Sequence, residues 1–431
     1  MIEKLKIPIL QNADIKNKVV LVRFDHNVVK NGKIQDSFRI ESTLATLFNI
    51  FVKGGKPILM THVGRPKDKK TGEIIINEKT SVKPIIDYLK NKLQIDFICP
   101  DLKYEGAQGI VKIDDNVKDL VEKLREGEIQ GIYLPNTRWF AGEEAKDNKA
   151  EDLAKSLASL ADVYVNDAFG SWQAHASTAL IPKYLPSYAG LLMQKELIHL
   201  DNIYNPEHPF IAVVAGAKLD TKIETLYALF DKADYLMLGG VIYNAYISAK
   251  YGFNIKGVEA EDMKYAKEFV EYTKKYPNKL IELPYIVESD TIENKIEGQY
   301  RIHNIHEIKP YTNLNYVLDV APQSFNDENI INIFNNAKMF FVNAVMGLTP
   351  YFSEGTTSLY SLISKNKNAK KLFGGGDTLQ EFKNLLPGIY LNAIEDASYY
   401  MFTGGGAVLT AIQEGNYLGL KPVAALAEQY K

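Results

Sequence analysis

Short apolar runs alternate along this chain with longer stretches in which apolar residues recur at helical spacing. This alternation is typical of a parallel sheet that carries helices on both faces. Leu153, Leu157 and Leu160 fall on one face of a predicted helix. In the first half of the chain four apolar runs predict strands, at residues 18–23, 57–62, 131–134 and 161–166.

A second series of strands and helices begins near the middle of the chain. Residues 185–204 predict a helix that opens after a Pro-Ser turn, and residues 209–214 predict a new strand. A chain of 431 residues exceeds what one core normally supports. The predicted fold is therefore α/β with two lobes, each a Rossmann-like parallel sheet. The predicted segments are an N-terminal domain at 1–188, an interdomain helix at 189–208 and a C-terminal domain at 209–414.

The composition of the chain limits which partners the protein can attract and which cellular compartment suits it. A net charge of -3 gives no field that would gather nucleic acid or anionic lipid, so neither partner is expected. No run approaches the ~20 apolar residues of a spanning helix, and the first ten residues lack a signal-peptide core. The single cysteine, Cys99, excludes an intrachain disulfide framework. We therefore expect a cytoplasmic protein.

Arginine is rare in this chain, with six residues among the 50 basic ones. Four of the six fall at or near the ends of predicted strands in the first 140 residues. The planar guanidinium grips carboxylate or phosphate in a bidentate way that an ammonium cannot. The N-terminal half is therefore predicted to bind a small, multiply anionic ligand through Arg23, Arg39, Arg65 and Arg138.

Other polar residues follow the same predicted strands. Asp25 and Asn27 come after the first strand, His62 after the second, and His175 follows the fourth at a greater distance. Ligands of open parallel sheets bind beyond the carboxyl ends of the strands, where such residues converge. Any one of these residues could simply be a hydrated loop residue. Their recurrence at four strand exits favours a binding site.

The second half contains three glycine-rich turns, each between an apolar run and a predicted helix. Glycine lets the backbone approach an oxyanion, and a helix that begins there offers unpaired amides. Neither a dinucleotide fingerprint nor a P-loop spacing is present, so a nucleotide site here belongs to another class. Lys218 and Lys222 either contact water or clamp phosphate, and Asp377 either caps its helix or holds Mg²⁺. The turns read VVAGAKLDTK (213–222), LFGGGDT (372–378) and TGGGA (403–407).

These motifs occur in the order of a known family, and on them the chain resembles phosphoglycerate kinase. The resemblance implies a monomeric, hinge-bending glycolytic kinase with its substrates in a two-lobed cleft. It would move a phosphoryl group between 1,3-bisphosphoglycerate and Mg-ADP, giving 3-phosphoglycerate and ATP, and residues 415–431 would pack back on the N-terminal lobe. The motifs include VRFDHN (22–27), THVGRPK (61–67), VNDAFG (165–170), AGAKLDTKI (215–223), NAVMG (343–347) and FGGGDT (373–378).

The resemblance also implies a role for particular residues. Arg39 and Lys218 would stabilise the phosphoryl group in transfer, and Asp377 would hold Mg²⁺. A carboxylate acceptor is already ionised at pH 7, so no general base is required. The implied substrate-binding residues are Arg23, Asp25, Asn27, Arg39, His62, Arg65, Arg138 and His175. The implied nucleotide-binding residues are Lys222, Gly239, Gly240, Ala321, Asn343, Gly375, Gly376, Asp377 and Thr378.

The chain departs from the family pattern at several ligand contacts. Gln173 stands where an arginine is expected, Pro350 where a ribose-contacting glutamate is expected, and Ala321 where a glycine is expected; Glu354 is a candidate replacement for the lost acid. Two alternatives therefore stay open: a non-catalytic or regulatory relative that binds nucleotide and anions, or a kinase for a different small carboxylate. An active kinase is favoured because the residues implied in transfer are all present, namely Arg39, Lys218, Lys222 and Asp377.

Overall fold

The computed structural model describes residues 6–430, which form two compact units. The first unit contains the described residues up to Ile198 together with those from Tyr417 onward, and the second contains His199–Asn416. The division falls inside one helix. Residues 1–5 and 431, which belong to the predicted N-terminal domain and its tail, lie outside the described residues.

The first unit is built on a six-stranded parallel sheet with the order β5-β6-β4-β1-β7-β8. Strands β2 and β3 form a small antiparallel hairpin beside it. The strands are β1 (Val19–Phe24), β2 (Val29–Lys30), β3 (Lys33–Ile34), β4 (Lys56–Met60), β5 (Phe97–Ile98), β6 (Gly131–Tyr133), β7 (Val163–Asp167) and β8 (Ser187–Ala189).

Helices cover both faces of this sheet. Along β1, Val19 and Leu21 belong to one buried apolar cluster, whereas Val20 and Val22 belong to another on the opposite face, because successive strand side chains alternate. The first cluster includes residues of α3 and α4, and the second includes residues of α1 and α2. The helices are α1 (Phe38–Val52), α2 (Lys83–Leu93), α3 (Asp115–Glu126), α4 (Asn148–Ala158) and α5 (Leu191–Tyr204), in which the division lies.

The second unit has a six-stranded parallel sheet of its own, with the order β12-β10-β9-β17-β18-β19. An antiparallel sheet, β14-β13-β16, and a parallel pair, β11-β15, accompany it. The strands are β9 (Phe210–Gly216), β10 (Tyr235–Gly239), β11 (Asn254–Ile255), β12 (Leu280–Ile281), β13 (Tyr285–Ser289), β14 (Tyr300–Asn304), β15 (Asn313–Leu314), β16 (Tyr316–Val320), β17 (Met339–Asn343), β18 (Lys370–Gly374) and β19 (Tyr399–Phe402).

Eight helices of the second unit follow α5, and a last helix belongs to the first unit. That last helix, α14, packs beside β8, where the amide of Ser187 donates to the side chain of Gln429. The helices are α6 (Ile223–Lys232), α7 (Gly240–Tyr251), α8 (Ala260–Thr273), α9 (Glu328–Asn336), α10 (Glu354–Lys365), α11 (Gly376–Leu385), α12 (Pro387–Glu395), α13 (Gly405–Glu414) and α14 (Lys421–Ala427).

The predicted α/β class with parallel sheets is confirmed, and each of the four N-terminal strand predictions overlaps a strand. All three glycine turns join a strand to a helix, at β9–α6, β18–α11 and β19–α13. The prediction of a helix from residue 185 was wrong at its start, because residues 187–189 instead pair with β7 and complete the sheet edge. Within residues 6–430 no helix combines the length and apolar character that crossing a bilayer requires.

Candidate active site

A cavity of about 580 Å³ lies beyond the carboxyl ends of the central strands of the first unit. The strand order brings these loops together, as parallel sheets do. Seven of the eight predicted substrate residues line this cavity, and the eighth is buried behind it. The lining residues that the sequence predicted are Asp25, Asn27, Arg39, His62, Arg65, Arg138 and His175.

Asp25 and Arg39 form an ion pair in the cavity. Asp25 follows β1 and is buried, and Nη1 of Arg39, in the first turn of α1, lies 3.4 Å from both carboxylate oxygens. Burial would raise the pKa of Asp25, but electrostatic interactions, first with Arg39 and then with His62 and Arg23, outweigh burial and lower it to about 2. Asp25 is therefore ionised at neutral pH and holds the Arg39 guanidinium in place.

Asn27 and His62 connect the first two strand exits. The side-chain oxygen of Asn27 accepts from the amide of Gly64 at 2.8 Å. Burial holds the pKa of His62 well below its usual value, although Asp25 opposes this, so the imidazole is neutral at pH 7. Its Nδ1 lies 3.2 Å from Nη2 of Arg23, which can only donate. The ring proton of His62 is therefore on Nε2, where it can serve as a hydrogen-bond donor.

Arg23 supports the cavity from behind and does not line it. Its side chain is completely buried, with Nε donating to Ser177 Oγ at 2.8 Å and Nη1 donating to the carbonyl of Phe24. Glu143, itself buried, accepts from Ser177 Oγ at 2.6 Å and lies 3.9 Å from Nη2 of Arg23. The prediction that Arg23 binds substrate directly is corrected on this ground: its donors are turned to protein groups, including His62.

Arg138 and His175 share an acidic neighbour, Glu144, that is not among the predicted site residues. Nε of Arg138 lies 2.8 Å from Glu144, and its Nη1 donates to the carbonyl of Gly64 at 2.6 Å. Nε2 of His175 lies 3.9 Å from the same Glu144 oxygen. Burial lowers the pKa of His175, while Glu143 and Glu144 oppose the shift. The adjacent acids at 143 and 144, close after an arginine at a strand exit, were the available signal.

The outer part of the cavity carries further side chains. Arg65 is exposed, and Gln173, which replaces the arginine expected there, is exposed and uncharged. Lys67 and Lys69 also line the cavity. Neither lysine is among the predicted substrate-binding residues.

In the second unit, Lys222 and Asn343 bring three strand exits together. Lys222 Nζ donates to the carbonyl of Ala215 at 2.5 Å and to Asn343 Oδ1 at 2.8 Å. Asn343, at the end of β17, donates through Nδ2 to the carbonyl of Gly374 at 2.6 Å. Burial lowers the pKa of Lys222 to about 8, although Asp377 opposes the shift. Lys222 is thus a partly desolvated ammonium beside two glycine turns.

The turn before α11 requires glycine. Gly375 has a φ of +114°, and a Cβ there would lie 2.6 Å from Asn343 Nδ2. A Cβ on Gly405 would lie 2.5 Å from the Cα of Gly375, so the second and third turns are in contact. Gly376 opens α11, whose first amides are free of intrahelical partners, and Thr378 is buried in its first turn. This arrangement suits a phosphate group.

Gly239 and Gly240 bring the end of β10 close to the glycine-rich turn between β9 and α6. Gly240 has a φ of +61°, and a Cβ on it would lie 2.9 Å from the carbonyl oxygen of Gly216. A Cβ on Gly239 would lie 2.6 Å from Sδ of Met346. The predicted nucleotide residues at 239 and 240 therefore adjoin the turn that carries Lys222.

Asp377 and Lys218 present exposed charges at these turns. Asp377 is the second residue of α11, and Gly375 occupies the N-cap position, so Asp377 is not the residue that caps this helix. Within residues 6–430 no group of three or more His, Cys, Asp or Glu could hold a metal by itself. A single exposed carboxylate fits Mg²⁺ that is carried on nucleotide phosphates. Lys218 is exposed in the loop between β9 and α6.

The predicted contact through Ala321 is corrected. Ala321 is completely buried and packs with Val287 and Phe352, so its methyl group cannot touch a ligand. Glu354 pairs with Lys295. Burial would raise the pKa of Glu354, but the bond to Lys295, backbone hydrogen bonds at Ser353 and Glu354, and the charge of Lys295 together outweigh burial and lower it. Its carboxylate is therefore already engaged.

Comparisons with known proteins give one consistent result. The family model described as Phosphoglycerate kinase matches residues 10–415. Phosphoglycerate kinase of Pseudothermotoga lettingae is 32% identical over 431 residues, covering 96% of this chain and 98% of that protein. That of Dictyoglomus turgidum is 32% identical over 418 residues, covering 94% and 95%.

Solved structures agree with these relatives. The structure of phosphoglycerate kinase from Coxiella burnetii aligns with a TM-score of 0.76 at 27% identity, covering 99% of this chain and 100% of that one. The Pyrococcus horikoshii enzyme aligns with a TM-score of 0.74, covering 98% and 100%, and at 21% identity it supports the fold alone.

Proposed function

The chain belongs to the phosphoglycerate kinase family, and we propose that it catalyses reversible phosphoryl transfer between 1,3-bisphosphoglycerate and ADP, giving 3-phosphoglycerate and ATP in glycolysis. The enzyme is a phosphotransferase with a carboxyl group as acceptor. The observation that carries the proposal is the arginine-lined cavity of the first unit, which collects the predicted substrate residues at one sheet edge.

Substrate binding is assigned to the first unit. Arg39, Arg65 and Arg138 supply guanidinium forks for the carboxylate and phosphate of phosphoglycerate. Asp25 fixes Arg39, and neutral His62 donates through Nε2 without adding a charge. Asn27 and His175 complete the polar lining, and Arg23 positions His62 from behind.

Nucleotide binding is assigned to the second unit. The amides at the start of α11 face the phosphates, and Lys222 neutralises them as Asn343 orients its ammonium. Mg²⁺ bound to the nucleotide and to Asp377 would neutralise phosphate charge. Gly239 and Gly240 allow the end of β10 to pack closely against Met346 and Gly216, beside the turn that carries Lys222, and we assign them to the nucleotide site on that ground.

The transfer step needs charge stabilisation and no proton transfer. The acceptor carboxylate is ionised at pH 7, so it attacks phosphorus directly while the bond to the leaving ADP oxygen breaks. The transferred group carries negative charge throughout. Arg39 from the first unit and Lys218 from the second are the cations we assign to it. Both are exposed enough to meet a ligand.

We further propose that the enzyme acts as a cytoplasmic monomer with small-molecule partners only. The near-neutral charge balance gives no field for nucleic acid or anionic lipid, and one cysteine fits a reducing compartment. Its domains are assigned at 1–188 with the tail 415–431, and at 209–414, with the connecting helix between them.

A coupled assay with 3-phosphoglycerate and Mg-ATP tests the activity. We expect turnover in the wild-type chain, and we expect Lys218→Gln to lower kcat by about 100-fold because one of the two cations assigned to the transferred phosphoryl group is lost. Lys267→Gln removes the same charge from the exposed face of α8 and should leave kcat unchanged. ATP binding without turnover in the wild-type chain would instead identify a non-catalytic relative, and turnover with another carboxylate alone would identify a different kinase.

A further inference from the structure

The cavity of the first unit has cations that its carboxylates do not neutralise. Asp25 is paired with Arg39, and Glu144 is paired with Arg138. The third acid, Asp68, is bonded to backbone amides of its own loop. Each of these three carboxylates in the cavity lining is therefore already paired with an arginine or bonded to backbone amides. The remaining cations, for which the described residues show no ion pair or side-chain hydrogen bond, are Arg65, Lys67 and Lys69.

Both lysines stand on an ordered hairpin between residues 66 and 75. Lys67 and Ile74 form an antiparallel bridge, and the amide of Ile75 donates to the carbonyl of Pro66 at 3.0 Å. The amide of Ile74 also donates to Ala107 at 2.9 Å, which ties the hairpin to the body of the unit. A loop fixed at its base presents its side chains at a lower entropic cost than a free one.

Asp68 shapes the tip of this hairpin. Its Oδ1 accepts from the amides of Lys70 at 2.8 Å and Thr71 at 2.9 Å, and its own amide donates to Glu73 at 2.8 Å. These bonds, led by the one from Thr71, lower the pKa of Asp68. The turn places Lys69 in the cavity lining, whereas Lys70 lies outside that lining.

We propose that Lys67 and Lys69 bind the phosphate group of phosphoglycerate and thereby set the preference for a phosphorylated substrate. This inference rests on the proposed function. A phosphate dianion carries twice the charge of a carboxylate, and lysine ammonium groups bind phosphate as point charges. Arg39 is already aligned by Asp25 for the carboxylate end. The unpaired lysines of the hairpin, beside the unpaired Arg65, therefore match the phosphate end, which needs the larger positive charge.

Equilibrium titration of 3-phosphoglycerate into the full-length chain, without nucleotide, tests the inference. Lys67→Gln and Lys69→Gln should each raise Kd by about 3- to 10-fold, the range between an exposed and a well-formed charged contact. Lys70→Gln is the matched control, since it removes the same charge from the same hairpin outside the cavity. Its Kd should stay within about twofold of wild type.

Two results would overturn the inference. One is an unchanged Kd in both cavity variants, and the other is an equal rise in Lys70→Gln, which would indicate a general effect of net charge. With coupled turnover, the cavity variants should raise KM for 3-phosphoglycerate and leave kcat and KM for ATP unchanged. Because the titration omits nucleotide, its result does not depend on whether the wild-type chain turns over.

Discussion

The lowered pKa of Lys222 predicts that the affinity for nucleotide falls as pH rises, and the structure gives the size of this change. Burial lowers the pKa of its ammonium from 10.5 to about 8, even though Asp377 opposes the shift. A bound polyphosphate would compensate the buried charge and raise this pKa again. Affinity gained in this way is fully present below the pKa of the free protein and is lost as pH rises above it.

The size of the effect follows from the shift. A change from 10.5 to about 8 corresponds to about 3 kcal/mol against the charged form. In the free protein Lys222 is about nine-tenths protonated at pH 7 and about one-tenth protonated at pH 9, so Kd for Mg-ATP should rise about 10-fold between them. Lys222→Gln should bind more weakly at pH 7 and should lack this rise.

Calorimetric titration of Mg-ATP at constant ionic strength from pH 7 to 9 provides the measurement. Burial also raises the pKa of Asp319 to about 7, but the Lys222→Gln variant retains that group, so the difference between the two proteins isolates Lys222. Lys267→Gln, with the same charge change on α8, should keep the wild-type slope. A Kd that does not change with pH in wild type, or an equal slope in Lys222→Gln, would refute the reasoning.

Three further predictions concern the departures and the glycine turns. Gln173→Arg should lower KM for 3-phosphoglycerate by up to about 10-fold, because it adds a guanidinium group to the cavity lining. An unchanged KM in steady-state assays would show that this guanidinium group cannot reach the substrate. Gly375→Ala should cost about 2 kcal/mol or more in thermal unfolding, since its φ is +114° and the new Cβ would meet Asn343, whereas Gly376→Ala has open space and should not destabilise; equal losses would contradict this. Asp377→Asn should raise the Mg²⁺ concentration for half-maximal rate by about 10-fold, and an unchanged Mg²⁺ titration would place the metal elsewhere.

The convergence of the substrate residues was predictable from the sequence for a definite reason. Asp25, His62 and Arg138 follow different strands, and parallel strands with helical crossovers bring their carboxyl ends to one edge. The burial of Arg23 was not predictable, since it depends on Ser177, 154 residues further along the chain. A strand-terminal arginine looks the same in sequence whether it lines a cavity or supports one.

The position of the hairpin lysines in the cavity was likewise not predictable from the sequence. Residues 67–70 form a charged run that normally marks a hydrated loop tip, and Lys70 fits that interpretation. Lys67 and Lys69 are exposed as well, but they line the cavity, whereas Lys70 does not. That placement depends on the bonds of Asp68 and on the bridge to Ile74, which composition alone cannot specify.

The contact between Gly375 and Gly405 has a consequence for how this protein can vary. The two bends are 30 residues apart in the sequence, and the constraint between them runs in one direction. A Cβ on Gly405 would lie 2.5 Å from the Cα of Gly375, whereas a Cβ on Gly375 would meet Asn343 and Thr378. The backbone of one bend thus restricts the residue at 405 in the other, and a library at position 405 should recover mostly glycine among its folded clones.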